Sequence, residues 1–221
     1  DLCKPLGNQQ FQELHDAWME HQVLFFRNQP VTVEQHKALG RKFGDLHIHP
    51  GSPPPDGHPE ILVVHADETS KHVSGERWHT DVSCEAEPPM GSILHLWQVP
   101  EVGGDTLFAS MYAAYDALSA RMKTYLEGLT AVHSGEQVYR GRYVARGGDD
   151  SHKVYPQAVH PVVRTHPVTG RKTLYVNRNF TSHIVDLPRD EGKAVLELLY
   201  QHCEKPDFQT RFKWQPDSIA M

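Results

Sequence analysis

The residues of this 221-residue chain best placed to do chemistry are His79 and Asp81, one residue apart in Trp78-His79-Thr80-Asp81. On an extended strand, residues i and i+2 share a face, so an imidazole and a carboxylate would project together while Thr80 turns away. An imidazole and a carboxylate on one face form two corners of the 2-His-1-carboxylate set that holds ferrous iron and leaves coordination positions open. The same spacing recurs in His65-Ala66-Asp67, and His47 and His49 form a further i, i+2 pair. Spacing alone leaves all three pairs open, each with the alternative of a strand-end histidine hydrogen-bonded to a nearby carboxylate. His65 and Asp67 run into the polar Glu68-Thr69-Ser70-Lys71, the pattern of a solvated strand end. A second feature is Gly103-Gly104-Asp105-Thr106. Its glycines permit a tight turn before a strand that aims the Thr106 hydroxyl inward, with a plain hairpin turn as the alternative.

The elements that must position these groups follow from periodicity and punctuation. Phe11, Leu14 and Trp18 recur at helical spacing and predict a helix over 7–21. Val23-Leu24-Phe25-Phe26 reads as a compact apolar strand. Thr32 with Gln35 forms a capping box, so a second helix is expected over 33–43, ending at Gly44. Ile61-Leu62-Val63-Val64 reads as a buried strand, and short strands are expected at 78–82, 91–97 and 105–109. Two short helices are expected near 111–118 and 120–127. Residues 135–157, rich in Gly, Arg, Tyr and Asp, read as a long mobile segment that orders over substrate. Strands at 162–165 and 173–176 flank the turn chemistry of Pro167-Val168-Thr169-Gly170 and form a hairpin. A helix over about 189–203 and a strand near 208–214 complete the chain. Many short strands with helices outside them give an α+β class, which a jelly-roll barrel accommodates.

Composition narrows the function classes. A net charge of −6 and no basic run argue against nucleic acid as a partner. No apolar run approaches the roughly 18 residues of a membrane span, so no membrane role is expected. Cys3, Cys84 and Cys203 lie far apart without CxxC spacing, which points to a reducing compartment and a cytoplasmic location. The 16 histidines exceed what a surface needs and suit metal chemistry, with scattered surface histidines as the plainer account. The chain starts at Asp1 without an initiator Met, so it is expected to begin inside a longer protein.

Several ordered blocks resemble one family. Trp78-His79-Thr80-Asp81 is followed by Pro88-Pro89-Met90-Gly91-Ser92-Ile93-Leu94 and then by Gly103-Gly104-Asp105-Thr106, with Thr106 lying 27 residues after His79. With Val23–Gln29, Phe43–Pro50, His160–Pro167 and Leu174–Asn177, these segments are similar to the taurine dioxygenase (TauD/TfdA) family of Fe(II)- and 2-oxoglutarate-dependent dioxygenases. The resemblance implies a double-stranded β-helix (jelly-roll) core with flanking helices. It implies that His79 and Asp81 bind Fe(II), that Thr106 contacts a carboxylate of the co-substrate 2-oxoglutarate, and that the His65 pair is a decoy. It also implies substrate-pocket roles for His49, which would offer a hydrogen bond or charge to an anion, and for Val82 and Phe180, which would wall the pocket.

Two departures qualify the resemblance. The family's third ligand, a His within a Trp-Asp-Asn-Arg-x-x-x-His stretch, and an Arg beyond it that pairs with 2-oxoglutarate, have no match here. Neither His166 nor His202 fits that pattern. The expectation is one dioxygenase domain over 1–221 that lacks its extreme N-terminus and the C-terminal segment with the third ligand. Gly51-Ser52 also stands where taurine-specific members carry a Tyr. Loss of a phenol donor to a charged group is worth about 1.5–3 kcal/mol, so taurine itself is not the expected substrate. The expected reaction is O2-dependent hydroxylation of a small anionic organic substrate, a taurine-like sulfonate, an alkyl sulfate or an aryloxyalkanoate, releasing succinate and CO2. The alternatives are a non-catalytic jelly-roll binding protein whose metal site is lost, and a zinc hydrolase using the same His and Asp. The apolar face of the N-terminal helix suits a homo-oligomer contact.

Overall fold

The computed structural model describes residues 1–221 except 51–53, 69, 71–73, 142–143 and 145–148. The N-terminal part is helical where the apolar spacing says it should be. Helix α1 (Asn8–His21) buries Trp18 and stops at Gln22, whose left-handed backbone lets its N–H reach the Trp18 carbonyl. Helix α2 (Val33–Arg41) opens on the expected capping box: Thr32 accepts from the Gln35 N–H while the Gln35 side chain accepts from the Thr32 N–H. Between them lies β1 (Phe25–Phe26).

The remaining strands are short and antiparallel. β2 (Leu94–Leu96) and β1 both pair with β10 (Ser218–Ala220), the central strand of a three-stranded sheet. β3 (Thr106–Ala109) pairs with β9 (Gln209–Phe212), with Thr106 opposite Phe212. Helices α3 (Met111–Asp116) and α4 (Ala120–Leu126) follow β3, each capped by a serine, Ser110 and Ser119. β4 (Thr130–Ser134) is the centre of a second three-stranded sheet, between β5 (Gln157–Pro161) and β8 (Thr181–Ile184). The short helix α5 (Glu136–Tyr139) leaves the end of β4. β6 (Val163–Thr165) and β7 (Lys172–Leu174) form the expected hairpin, closed by the turn at 167–170.

Helix α6 (Arg189–Cys203) matches its expected bounds. It carries Asp190 and Glu191 in its first turn, where the helix dipole favours anions, and buries Leu196, Leu199 and Cys203. That face packs with Leu126, Val162, Leu174 and Ile184 into the largest core cluster. Full burial of each such aliphatic side chain stabilises by about 1.5–3 kcal/mol. A second cluster gathers Val82, Cys84, Val138, Tyr139, Tyr155 and Phe180, with Val82 next in the chain to Asp81.

Three expectations need correction. Ile61–Val64 is not a buried strand: it pairs with no other strand among the described residues, and Val63 and Val64 are 55% and 49% exposed. A four-residue apolar run fits the strand pattern, but a strand also needs a neighbouring edge to take its N–H and C=O groups. Residues 78–82 are not a strand either. The chain turns at 81–84, and Val82 adopts a left-handed backbone with φ 49°. Nor is 135–157 uniformly loose, because α5 folds back and buries Val138 and Tyr139, and Tyr155 joins the same cluster. Part of that segment, the Gly51-Ser52 stretch and part of the polar run after Asp67 lie outside the described residues. Among the described residues no helix is long and apolar enough to cross a membrane.

Candidate active site

His79 and Asp81 meet through the turn rather than through strand alternation. The Nε2 of His79 stands 3.3 Å from Oδ1 of Asp81. Each side chain is held from behind. The Nδ1 of His79 is 2.7 Å from the Arg77 carbonyl, which can only accept, so Nδ1 carries the proton and the Nε2 side faces Asp81. The other carboxylate oxygen, Oδ2, accepts from the Ser92 hydroxyl. The contact with His79, with help from Ser92 and against the cost of burial, holds the Asp81 carboxyl below its usual range. A histidine whose second nitrogen donates to a carbonyl, beside a carboxylate with its own hydrogen-bond anchor, is the outer-shell arrangement of a metal-binding pair. The donor set fits a divalent cation that takes imidazole and carboxylate. Among the described residues, no group of three His, Cys, Asp or Glu side chains is arranged to hold a metal.

Ser92 reaches Asp81 because Gly91 lets the chain pass close under α1. A side-chain carbon at Gly91 would overlap the Trp18 ring. The turn that carries Asp81 is braced on its other side by Ser83, which is fully buried. Its hydroxyl lies 2.9 Å from Nδ1 of His133 on β4 and accepts from Nδ2 of Asn177 at 3.0 Å. Oδ1 of Asn177 accepts the Phe180 N–H at 2.8 Å, and the Thr181 hydroxyl accepts the Asn177 N–H at 2.9 Å. His133 stacks on Tyr175 and meets His160 edge-on. Burial, and next the neighbouring His160, lower its pKa to about 4, so it is neutral at physiological pH. This buried polar net joins the turn that carries Asp81 to Phe180.

The expected pocket residues gather here. Val82 and Phe180 are buried in one cluster with Tyr139. The His49 ring lies edge-on to Tyr139 at 5.2 Å and near enough to Asp81 to favour its ionised form. Thr106 begins β3 after Gly103 and Gly104, whose φ values of 82° and 71° are the left-handed conformations that glycine adopts without strain. Its hydroxyl oxygen accepts Nε1–H of Trp214 at 2.8 Å, so its own proton is left to donate. The next residues of β3 line a cavity of about 450 Å³ together with Trp78, His79, Thr80 and Asn177. Arg178, on the same cavity, is matched by Glu197 at 2.8 Å and Glu204 at 2.6 Å, so its charge is already paired. Of the rival pairs, His65 meets Asp67 at 3.2 Å on the surface, while His47 meets Glu85 at 2.9 Å and its neighbour His49 turns to Tyr139.

Sequence reasoning missed Ser83, Ser92, His133, Asn177, Tyr139 and Trp214. Asn177 and Ser92 lie in family-like blocks, but no local spacing marks the others, which reach their partners across long stretches of chain.

Comparison with known proteins shows the family. The model of the taurine catabolism dioxygenase TauD, TfdA family matches residues 1–221. A candidate alpha-ketoglutarate-dependent sulfonate dioxygenase of Schizosaccharomyces pombe is 41% identical over 97% of this chain and 57% of its own length. An alpha-ketoglutarate-dependent sulfonate dioxygenase of Saccharomyces cerevisiae is 37% identical over 90% of this chain and 51% of its own. The chain thus spans little more than half the length of these relatives. It covers 71% of an alkylsulfatase of Acinetobacter baylyi at 32% identity. The crystal structure of a taurine dioxygenase from Burkholderia xenovorans superposes with a TM-score of 0.82 at 35% identity, over all of this chain and 72% of that one. The structure of AAD-2 in complex with Mn(II) and N-oxalylglycine gives 0.77 at 29%, over all of this chain and 79% of that one. With the His79–Asp81 turn, the Gly-Gly-Asp-Thr strand start and a full-length match to the family model, this chain belongs to the taurine catabolism dioxygenase TauD, TfdA family.

Proposed function

We propose that the chain forms the larger part of a single jelly-roll domain of an Fe(II)- and 2-oxoglutarate-dependent dioxygenase that hydroxylates a small anionic organic compound and releases succinate and CO2. The observation that carries this reading is the oriented pair: His79 fixed by the Arg77 carbonyl and Asp81 fixed by Ser92, with Nε2 and Oδ1 3.3 Å apart. His79 and Asp81 would hold Fe(II), and further ligands belong to residues other than those described. Bound iron and 2-oxoglutarate supply the oxygen activation.

The chain's own residues bind, orient and shield. The hydroxyl of Thr106, set by Trp214, donates to a carboxylate of 2-oxoglutarate. His49 faces the anionic end of the substrate, and Val82 and Phe180 keep water from its carbon skeleton. Relatives include sulfonate and 2,4-dichlorophenoxyacetate dioxygenases and an alkylsulfatase, so a sulfonate, alkyl sulfate or aryloxyalkanoate is the substrate class.

The test is an anaerobic titration of the purified full-length protein with Fe(II) and 2-oxoglutarate, followed by the visible charge-transfer band of the chelate. A band that disappears in His79→Ala supports the reading. No band in protein of confirmed mass refutes it and favours a binding protein or a zinc hydrolase.

A further inference from the structure

Tyr139 ends α5 with its side chain turned into the protein, only 4% exposed. Its ring is edge-on to His49 at 5.2 Å and to Phe180 at 5.7 Å, and it shares a buried cluster with Val82 and Cys84. A phenylalanine would fill that space equally well. A tyrosine brings a polar end, and buried tyrosine hydroxyls ordinarily find a partner. This one is sealed from solvent and makes no hydrogen bond of normal geometry among the described residues.

Its polar neighbours explain why it stays unsatisfied. Cys84 lies beside it, and a thiol is only a weak partner. Burial foremost, then Cys84 and the nearby Asp81 carboxylate, push the phenol far above its usual range. The group is therefore a neutral O–H, able to donate and unable to ionise near neutrality. A donor without an acceptor, between the imidazole of His49 and the apolar faces of Phe180 and Val82, matches a ligand with an oxyanion head and a carbon skeleton.

We propose that the Tyr139 hydroxyl, alongside the His49 imidazole, is the hydrogen-bond donor that receives the oxygen head group of the anionic substrate, and so decides which anions are accepted. The assignment rests on the reading of His79 and Asp81 as the metal pair of a dioxygenase.

The experiment uses the full-length protein loaded anaerobically with Fe(II) and 2-oxoglutarate. Taurine, hexyl sulfate and 2,4-dichlorophenoxyacetate are titrated in turn, and each dissociation constant is read from the change in the visible band. Tyr139→Phe removes one oxygen and keeps the ring. It should form the same band at the same 2-oxoglutarate concentration, melt no lower than the parent, and bind the preferred anion about tenfold or more weakly, the loss of one charge-assisted hydrogen bond. Cys84→Ala should leave that binding unchanged. The proposal is overturned if Tyr139→Phe binds the preferred anion as the parent does, or if it melts lower while Cys84→Ala reproduces the loss, since the hydroxyl would then serve the thiol. It is also overturned if the parent binds none of the three anions. Absence of the band in parent and variant alike would instead sink the dioxygenase reading, and this assignment with it.

Discussion

Replacing Asn177 with alanine should destabilise the protein by about 3–5 kcal/mol and loosen the His79–Asp81 turn at the same time. Asn177 is buried, and its amide makes two hydrogen bonds: Nδ2 to Ser83 at 3.0 Å and Oδ1 from the Phe180 N–H at 2.8 Å. Each bond contributes a net ~1 kcal/mol, and a buried N–H left without an acceptor costs a further ~1–3 kcal/mol. The sum is a large share of the 5–15 kcal/mol by which domains are ordinarily stable. Urea denaturation of the parent, Asn177→Ala, Ser83→Ala and the double variant closes a cycle, and a coupling of about 1 kcal/mol or more is expected because the two side chains touch. Ser83 lies two residues after Asp81, so Fe(II) affinity, measured anaerobically, should fall with stability. Losses that add without coupling, or an Asn177→Ala variant within 0.5 kcal/mol of the parent, would show that the net carries no energy between the turn and Phe180.

Acid should weaken the fold through His133. Its pKa near 4 in the folded protein lies below the ~6.5 of an unfolded chain, so the unfolded state takes up the proton first as pH falls. The stability is complete above pH 6.5 and drains away towards pH 4 by about 3 kcal/mol; His133→Gln should flatten that share of the slope in pH-dependent urea melts, and an unchanged slope would clear His133. Val82→Gly relieves a left-handed valine worth about 1–3 kcal/mol of strain while giving up a buried side chain of similar value, so it should cost far less than Val162→Gly at a fully buried site of ordinary backbone. Calorimetric melting of both variants decides this, and equal losses would mean that Val82 is unstrained. His79→Ala and Asp81→Ala should each abolish iron-dependent consumption of 2-oxoglutarate, whereas His65→Ala should leave most of it; equal loss from His65→Ala would mean the wrong pair was chosen.

Where local chemistry sets the structure, it is readable in the sequence. Thr32 and Gln35 start α2, Pro167–Gly170 turns the β6–β7 hairpin, and leucines at helical spacing bound α6. The strands that escape notice are β4, β5, β8 and the short β10. Their buried positions carry His133, His160, Thr181 and Ser218, and a pattern that assigns polar residues to the outside reads them backwards. Ile61–Val64 is the converse, an apolar run with no described edge to join. The His79–Asp81 contact was legible because its members are neighbours in the chain. Ser92, Asn177 and Trp214 were not, because each acts on a residue 11 to 108 positions away.

The close passage of Gly91 beneath Trp18 gives the N-terminal helix a say in chemistry it never touches. Ser92, which donates to Asp81, directly follows the glycine that packs without a side chain against the Trp18 ring of α1. If His79 and Asp81 hold iron as proposed, metal affinity would gauge whether the first helix is docked. A protein that has let go of α1 would keep its secondary structure, and it would announce the damage first as iron that washes out.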